Sequence, residues 1–263
     1  MSAAGMLVSP TWLRLREPAD AAARSAELVE RLGRHLRAAG RLVIHDLGGG
    51  SGAMSRWLAP RLPGPQHWVV HDRDADLLTL AVAAPPGPAS VTVEARRSDV
   101  TRLTPEDLAG ASLITASALL DLLTADELAR MLGACAGYPM LLALTVVGRV
   151  TLTPAEPLDA LMGAAFDAHQ RRGRRLGPDA VAAAVDEHCE SGAEVVLRPS
   201  PWRLDAAHAD LTAEWLRGWV AAACEQDPTL AAEADAYQDR RLAQAAAGEL
   251  TVTVDHADLL VLP

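Results

Sequence analysis

Residues 42–52 read LVIHDLGGGSG: an apolar run closes on an acid, and four glycines follow within the next six residues. A run this short, apolar on both sides, reads as a strand buried on both faces. A strand that opens straight into bare backbone needs that backbone to turn sharply or to let a ligand come close. The segments after it keep the same rhythm. RLVIHD (41–46), QHWVVHD (66–72), VTVEA (91–95), ASLITAS (111–117) and PMLLALTVV (139–147) read as strands. SGAMSRWLA (51–59), RDADLLTLAVA (73–83), the short turn LTPEDLAG (103–110) and TADELARML (124–132) read as helical segments between them. Thr124 and Glu127 have the spacing of a capping box. Strands alternating with helices imply a parallel sheet covered on both faces.

Either side of this core the pattern differs. Residues 18–39 read as one helix, with Pro18 in its first turn, leucines at 28, 32 and 36, and Gly40 as the stop. PPGP (85–88) reads as a turn. Residues 155–190 read as two helices around the break RRGRRLGP, 193–199 as a strand, 210–225 and 228–247 as helices, and ELTVTVDHADLLVLP as a closing strand. One domain of 263 residues accounts for all of it. Its expected parts are an N-terminal lid helix (1–40), a ligand-binding core (41–148), a helical insertion (149–192), and C-terminal strands and helices (193–263).

Composition excludes several classes. The net charge of −10 argues against a nucleic-acid backbone as partner. The chain has neither Lys nor Asn, a bias in keeping with a GC-rich bacterial genome, so no lysine can act as a base. Cys135, Cys189 and Cys224 are far apart and show no zinc-ligand spacing. MSAAGMLVSPTW lacks the pattern of a secretory leader. The uncharged stretch 131–148 is broken by Gly137-Tyr138-Pro139, and reads as helix, turn and strand rather than a membrane span. A cytoplasmic protein with no membrane partner is expected.

Two ligands compete for the glycines. Residues 48–53 fit G-x-G-x-x-A, a loose dinucleotide fingerprint, and 46–52 fit D-x-G-x-G-x-G. A carboxylate two residues before the first glycine would repel a pyrophosphate, whereas S-adenosylmethionine (SAM) has no phosphate and offers an ammonium. On these residues the chain resembles the class I SAM-dependent methyltransferases over roughly 41–148. Asp46-Leu47-Gly48-Gly49-Gly50-Ser51-Gly52 is similar to the family's first motif. Asp72, followed by Arg73, stands where the family places an acid on the ribose hydroxyls. Ser98-Asp99-Val100 follows the third strand, where the family holds the adenine, and Ala116-Ser117 follows the fourth, where small residues line the cofactor. The resemblance implies an α/β fold: a doubly wound, mostly parallel seven-stranded sheet with helices on both faces and its last strand antiparallel, residues 193–199 and 250–262 supplying the final pair.

It also implies methyl transfer from SAM, leaving S-adenosylhomocysteine. The family's Asn-Pro-Pro-aromatic motif and its Asp-Asn metal set cannot occur without Asn, so a metal-independent enzyme acting on a small molecule is expected. For a base or acceptor ligand the candidates are Asp121, after the fourth strand, and His169, on one helical face with Leu158, Leu161, Met162, Ala165 and Phe166. The bland readings are a solvated turn for Asp121 and a core histidine for His169. Arg171, Arg172, Arg174 and Arg175 would meet an anionic acceptor or simply finish a helix. Trp215 and Trp219 read as packing. Arg16 or Arg24 would meet the carboxylate of SAM. The rivals are a nicotinamide-dependent NAD(P) oxidoreductase and a non-catalytic SAM-binding protein. Oligomeric state is not legible.

Overall fold

The computed structural model describes residues 9–36, 40–87 and 90–263. Strand β1 (Leu42–Leu47) lies inside a sheet ordered β3-β2-β1-β4-β5-β8-β6, with β2 (Gln66–Asp72), β3 (Val91–Arg97), β4 (Leu113–Ser117), β5 (Met140–Thr153), β6 (Glu194–Pro199) and β8 (Thr251–Leu262). The first five strands run parallel, and β8 runs antiparallel to both β5 and β6. The chain therefore leaves the edge strand β3 and re-enters the sheet at β4, on the other side of β1. That reversal opens a crevice at the carboxyl ends of β1 and β4, where open α/β sheets bind ligands. Register sets the ends level: Leu47 stands opposite both His71 and Ala116.

Helices α2 (Ala26–His35) and α3 (Ala53–Leu58) cover one face, burying Leu28, Leu32 and Trp57 against Ile44 and Trp68. Helix α4 (Ala75–Ala83) extends that layer with Leu78 and Ala81 on Val70. Helices α5 (Ala125–Ala134) and α7 (Ala180–Ser191) cover the other face, with Leu128, Met131, Ala180 and Ala184 against Leu142 and Leu259. Thr124 and Glu127 do close a capping box at the start of α5. Among the described residues no helix is long and apolar enough to cross a membrane.

A third apolar cluster lies beyond the sheet. The last residues of β5, Val150–Thr153, pair with Thr251–Val254 of β8, and a short strand β7 (Trp202–Leu204) pairs with the same part of β8. The residues of β8 report this change of setting. Val252 and Val254 are buried while Thr251 is exposed and Thr253 half-buried, because one face of the ribbon is covered; from His256 to Leu262 every residue is buried, because both are. Helices α6 (Pro157–Gln170), α8 (Ala209–Gln226) and α9 (Ala231–Ala246) pack on the ribbon through Met162, Trp215, Trp219 and Tyr237.

Three expectations are corrected. The single N-terminal helix is two, α1 (Pro10–Ala23) and α2, with a break at Arg24 and Pro18 inside α1 rather than at a start. The break is a tertiary device: Ser25 caps α2 through its hydroxyl, and its own N–H donates to the buried Asp258 carboxylate at 2.8 Å. Residues 1–8 and 37–39 of that expected lid, and Pro88 of the expected turn, lie outside the described residues. Second, β5 runs six residues past the expected 147, because two register shifts against β8 let it carry Gly148 without ending. Third, the stretch 149–192 is not one helical insertion: it begins as strand, and α7 belongs to the sheet layer, so α6 is the helix of this stretch that joins α8 and α9 in the outer cluster.

Within the outer cluster, α9 is pinned to α6 by a buried ion pair. Arg241 is fully buried and grips Asp159 with Nη2, 2.6 and 2.7 Å from its two oxygens, while Tyr237 donates to Asp159 at 2.6 Å. Removing one partner of such a pair leaves the other buried and unpaired. Arg241→Ala should lower unfolding stability by about 3–5 kcal/mol in urea titration; a loss under about 1 kcal/mol would show the pair to be no more than a surface contact.

Candidate functional site

The end of β1 carries a carboxyl with no exposure. Asp46 accepts a hydrogen bond from Thr115 Oγ1 on β4 at 2.7 Å, and its Oδ2 has no partner. Burial pushes this carboxyl up to about 7, against the pull of Thr115 and Arg24 and with a push from Asp72. The glycine loop lies directly on it. A Cβ on Gly49 would stand 2.6 Å from Asp46 Oδ2 and 2.7 Å from Val70 Cγ1, so no side chain fits there. Gly50 takes φ +53° and turns its N–H onto Asp72 Oδ2 at 2.9 Å. The other oxygen of Asp72 accepts the Asp74 N–H at 2.9 Å. Asp72 thus ties the first loop to the start of α4, and each oxygen keeps a lone pair.

At the end of β3, Asp99 accepts from Thr101 N–H and Oγ1 at 3.0 and 2.7 Å and pairs with Arg73 at 2.6 Å. Burial raises its carboxyl, but these donors outweigh burial and hold it below its ordinary value. Its side chain caps the short turn that follows, and Val100 packs into the core cluster that holds Leu47 and Leu108. At the end of β4, Ala116 is buried and Ser117 Oγ accepts from Arg24 Nη2 at 3.1 Å.

Arg24 is 5% exposed, its guanidinium stands 5.3 Å over the Trp57 ring, and its Nε and Nη1 have no partner. Burial lowers its pKa while the nearby Asp20, Asp258 and Asp46 raise it. A buried guanidinium with two idle donors and a buried carboxyl with an idle oxygen, at the ends of β4 and β1, are costly unless something meets them. Helix α1 roofs the same loop: Leu13 Cδ1 lies 3.6 Å from the position of a Gly50 Cβ. Glu17 on α1 takes Arg56 of α3 in a two-pronged pair, 2.7 Å at each oxygen.

The acceptor candidates have separate settings. Asp121 is buried, its Oδ1 lacks a partner, and burial pushes it up to about 6, with Arg16 and Arg175 pulling down. Arg16 grips Asp20 at 2.9 and 3.1 Å and lies 4.9 Å over Trp202, whose Nε1 donates to the same Asp20. His169 instead stands in the α6–α8 contact, its Nε2 3.3 Å from Glu225 Oε2. Glu225 also pairs with Arg172, and Arg171 is held by Asp179. Leu161, expected on the apolar stripe, is 56% exposed; the buried stripe is Met162 and Ala165, with Leu158 and Phe166 partly covered. Trp215 and Trp219 stack 5.2 Å apart within that cluster. Thr115, the Arg24–Ser117 contact and the Glu17–Arg56 clasp were not foreseen from sequence. Thr115 stands one residue before Ala116 in a strand read as buried, and that position was the available signal.

Strand order and loop geometry together define the fold of the class I SAM-dependent methyltransferases. Solved structures agree. A loganic acid methyltransferase with SAH superposes at TM-score 0.54 and 12% identity, over 94% of this chain and 93% of that one. The cyclopropane synthase MmaA2 from Mycobacterium tuberculosis superposes at TM-score 0.52 and 14% identity, over 97% and 95%. Likeness at such identity establishes the fold alone. No protein-family profile matches the chain, and no curated protein matches it in sequence.

The raised Asp46 carboxyl sets a test of stability. Unfolded, this group loses its proton near the ordinary value of about 4; folded, it keeps it to about 7. Its contribution is therefore fully present below about pH 4 and is lost as pH rises through 7. Asp46→Asn, measured by thermal unfolding of the ligand-free chain, should differ little from the parent at pH 4. It should become progressively more stable than the parent up to pH 7, and keep that lead above it.

Proposed function

We propose that this chain is an enzyme that transfers a methyl group from SAM to a small-molecule acceptor, without a metal. One observation carries the reading: the idle Asp46 oxygen and the idle Arg24 donors sit buried at neighbouring strand ends. An α-amino acid carries the two complementary charges, an ammonium and a carboxylate, and SAM ends in one. Asp46 would meet the ammonium, directly or through water, and Arg24 the carboxylate. Gly48, Gly49, Gly50 and Gly52 would let the backbone approach. Asp72 would use its free lone pairs on the ribose. Asp99, with Arg73 behind it, and the backbone at Val100 would border the adenine, and Ala116 and Ser117 would line the floor. A pyrophosphate suits this cradle poorly, because Asp46 lies beneath the loop.

When bound, SAM supplies a methyl group already activated by its sulfonium. The chain's work is to bind, orient and exclude water. Helix α1 over the loop and the outer cluster beyond β5 favour that exclusion. A proton on the acceptor needs a base. Asp121 and His169 each have one idle buried atom, Oδ1 and Nδ1; Asp121 suits the role better, because it lies just after β4 at the crevice, whereas His169 stands in the α6–α8 contact with Nε2 facing Glu225. A carboxyl near 6 is mostly ionised at neutral pH and still basic enough to accept a proton. Arg16 and Arg175 would favour the ionised carboxylate that is ready to take the proton. The acidic net charge suits a small acceptor and a cytoplasmic setting without nucleic-acid or membrane partners.

Calorimetry tests the cofactor reading. S-adenosylhomocysteine should bind at about −8 kcal/mol, NADH should not, and EDTA should change nothing. Arg24→Gln and Asp72→Ala should each weaken binding by about 1–3 kcal/mol, the loss of a charge-assisted contact. Preference for NADH would overturn the proposal. With an acceptor in hand, Asp121→Asn should lower turnover by about 10²–10⁴-fold and leave S-adenosylhomocysteine affinity nearly unchanged.

A further inference from the structure

One buried polar cluster plays no part in that scheme. His45 in β1 and His71 near the end of β2 are 3% and 0% exposed. Their rings stack 5.1 Å apart, with His45 Nδ1 2.9 Å from His71 Nε2. His71 Nδ1 is 2.9 Å from Ser98 Oγ, just past β3, and Ser98 Oγ is 3.4 Å from the Arg96 carbonyl. The Ser98 N–H donates to the Asp72 carbonyl at 2.9 Å. A line of hydrogen bonds thus crosses three neighbouring strands. It ends between the two acids, with His71 adjacent to Asp72 and Ser98 adjacent to Asp99.

The line is satisfied by two neutral rings. A neutral imidazole has one donor and one acceptor; with Ser98 Oγ donating to the Arg96 carbonyl, His71 Nδ1–H donates to Ser98, and His71 Nε2 accepts from His45 Nδ1–H. Protonating both rings would set N–H against N–H. The surroundings oppose charge: burial first, then His45 on His71 and the Arg96 guanidinium of β3 on both, hold the rings down at about 4, against the pull of Glu94, and of Asp107 on His71, while His67 adds its own push on His45. Stability does not ask for these histidines. Val43 and Val69 occupy comparable strand positions, and replacing a buried polar pair by apolar groups of similar shape is close to neutral. What the line does supply is an anchor for β3. That strand is at the sheet edge, Glu94 and Arg97 on it are exposed, and the chain leaves it into two short helical turns instead of a full helix.

We propose that His45, His71 and Ser98 are positioning residues for the nucleoside half of the cofactor site: their hydrogen-bonded line fixes the spacing of the β2 and β3 ends, and so of Asp72 and Asp99. This rests on the SAM reading above. None of the three need touch the reaction, and His71, fully buried, acts through Ser98 and the Asp72 backbone. Small errors in the placement of a binding group cost affinity out of proportion to their size.

The test compares the parent with His45→Val/His71→Leu, which replaces both rings by apolar groups. Thermal unfolding and S-adenosylhomocysteine calorimetry are read on each at pH 7.5. The expected result is a melting temperature at or near the parent's with binding weakened about 10-fold, the scale of one lost hydrogen bond. Unchanged binding in the folded double variant would overturn the proposal. Ring-nitrogen NMR of the parent is a second readout, independent of whether the variant folds. The His71 signals should move when S-adenosylhomocysteine is added; signals that stay in place while calorimetry shows binding would also overturn it. If the parent itself binds no S-adenosylhomocysteine, the SAM reading fails first and the line's role fails with it.

Discussion

Everything around the crevice follows from one carboxyl taken out of water. Asp46 stands at the end of β1, with Thr115 on one oxygen and Gly49 so near the other that an added Cβ would stand 2.6 Å from it. A buried carboxyl with an idle oxygen is among the more expensive things a fold can hold. It forces a glycine above it, a hydroxyl on the neighbouring strand, and a loop that turns at once. The loop's turn then needs a second carboxyl, Asp72, to hold the Gly50 N–H. The central part of the site is thus a stack of dependencies rather than a set of separate motifs.

The opposite charge arrives from outside the sheet. Arg24 reaches Ser117 because the N-terminal helices part at that residue, and they part because Asp258, far along in β8, accepts the Ser25 N–H and the Leu144 N–H. Helix α1 is then held from two sides, by Arg56 of α3 and by the Asp20–Trp202 contact with β7. The ribbon of β5, β8 and β7 gives the outer helices a surface to bury, so the roof of the crevice and the sheet share one strand, β8. A change in β8 would reach the lid, the outer cluster and the sheet together.

How much of this was legible varies with the range of the forces involved. The parallel core was readable because RLVIHD, QHWVVHD and ASLITAS owe their apolar character to burial on both faces. The capping box at Thr124 was readable because it is made by residues three apart. The acids Asp46, Asp72 and Asp99 were readable as the ends of such strands. Asp99 turned out to carry the cap and the Arg73 pair as well, both local features. Pro18 misled because a proline in a helix start and one tolerated inside a helix look alike from sequence. Leu161 misled because a periodic stripe does not say where its edge meets a neighbour. His169 and Arg172 found partners in α8, and Arg171 at Asp179, which no spacing rule relates to them.

The sequence by itself determined the alternation of strands and helices, the glycine loop after an acid, and hence the class of fold and the end of the sheet where a ligand would sit. These are set by local propensity and by burial, which every residue records in its own chemistry. The tertiary structure alone decided that Arg24 stands beside Ser117, that His45 and His71 share a hydrogen bond, that Asp121 is buried, and that β5 and β8 run on into a second platform. Those outcomes depend on residues far apart in the chain, 26 positions for His45 and His71 and 93 for Arg24 and Ser117. The energy of such a pair is written in neither partner and exists only when the chain brings both together.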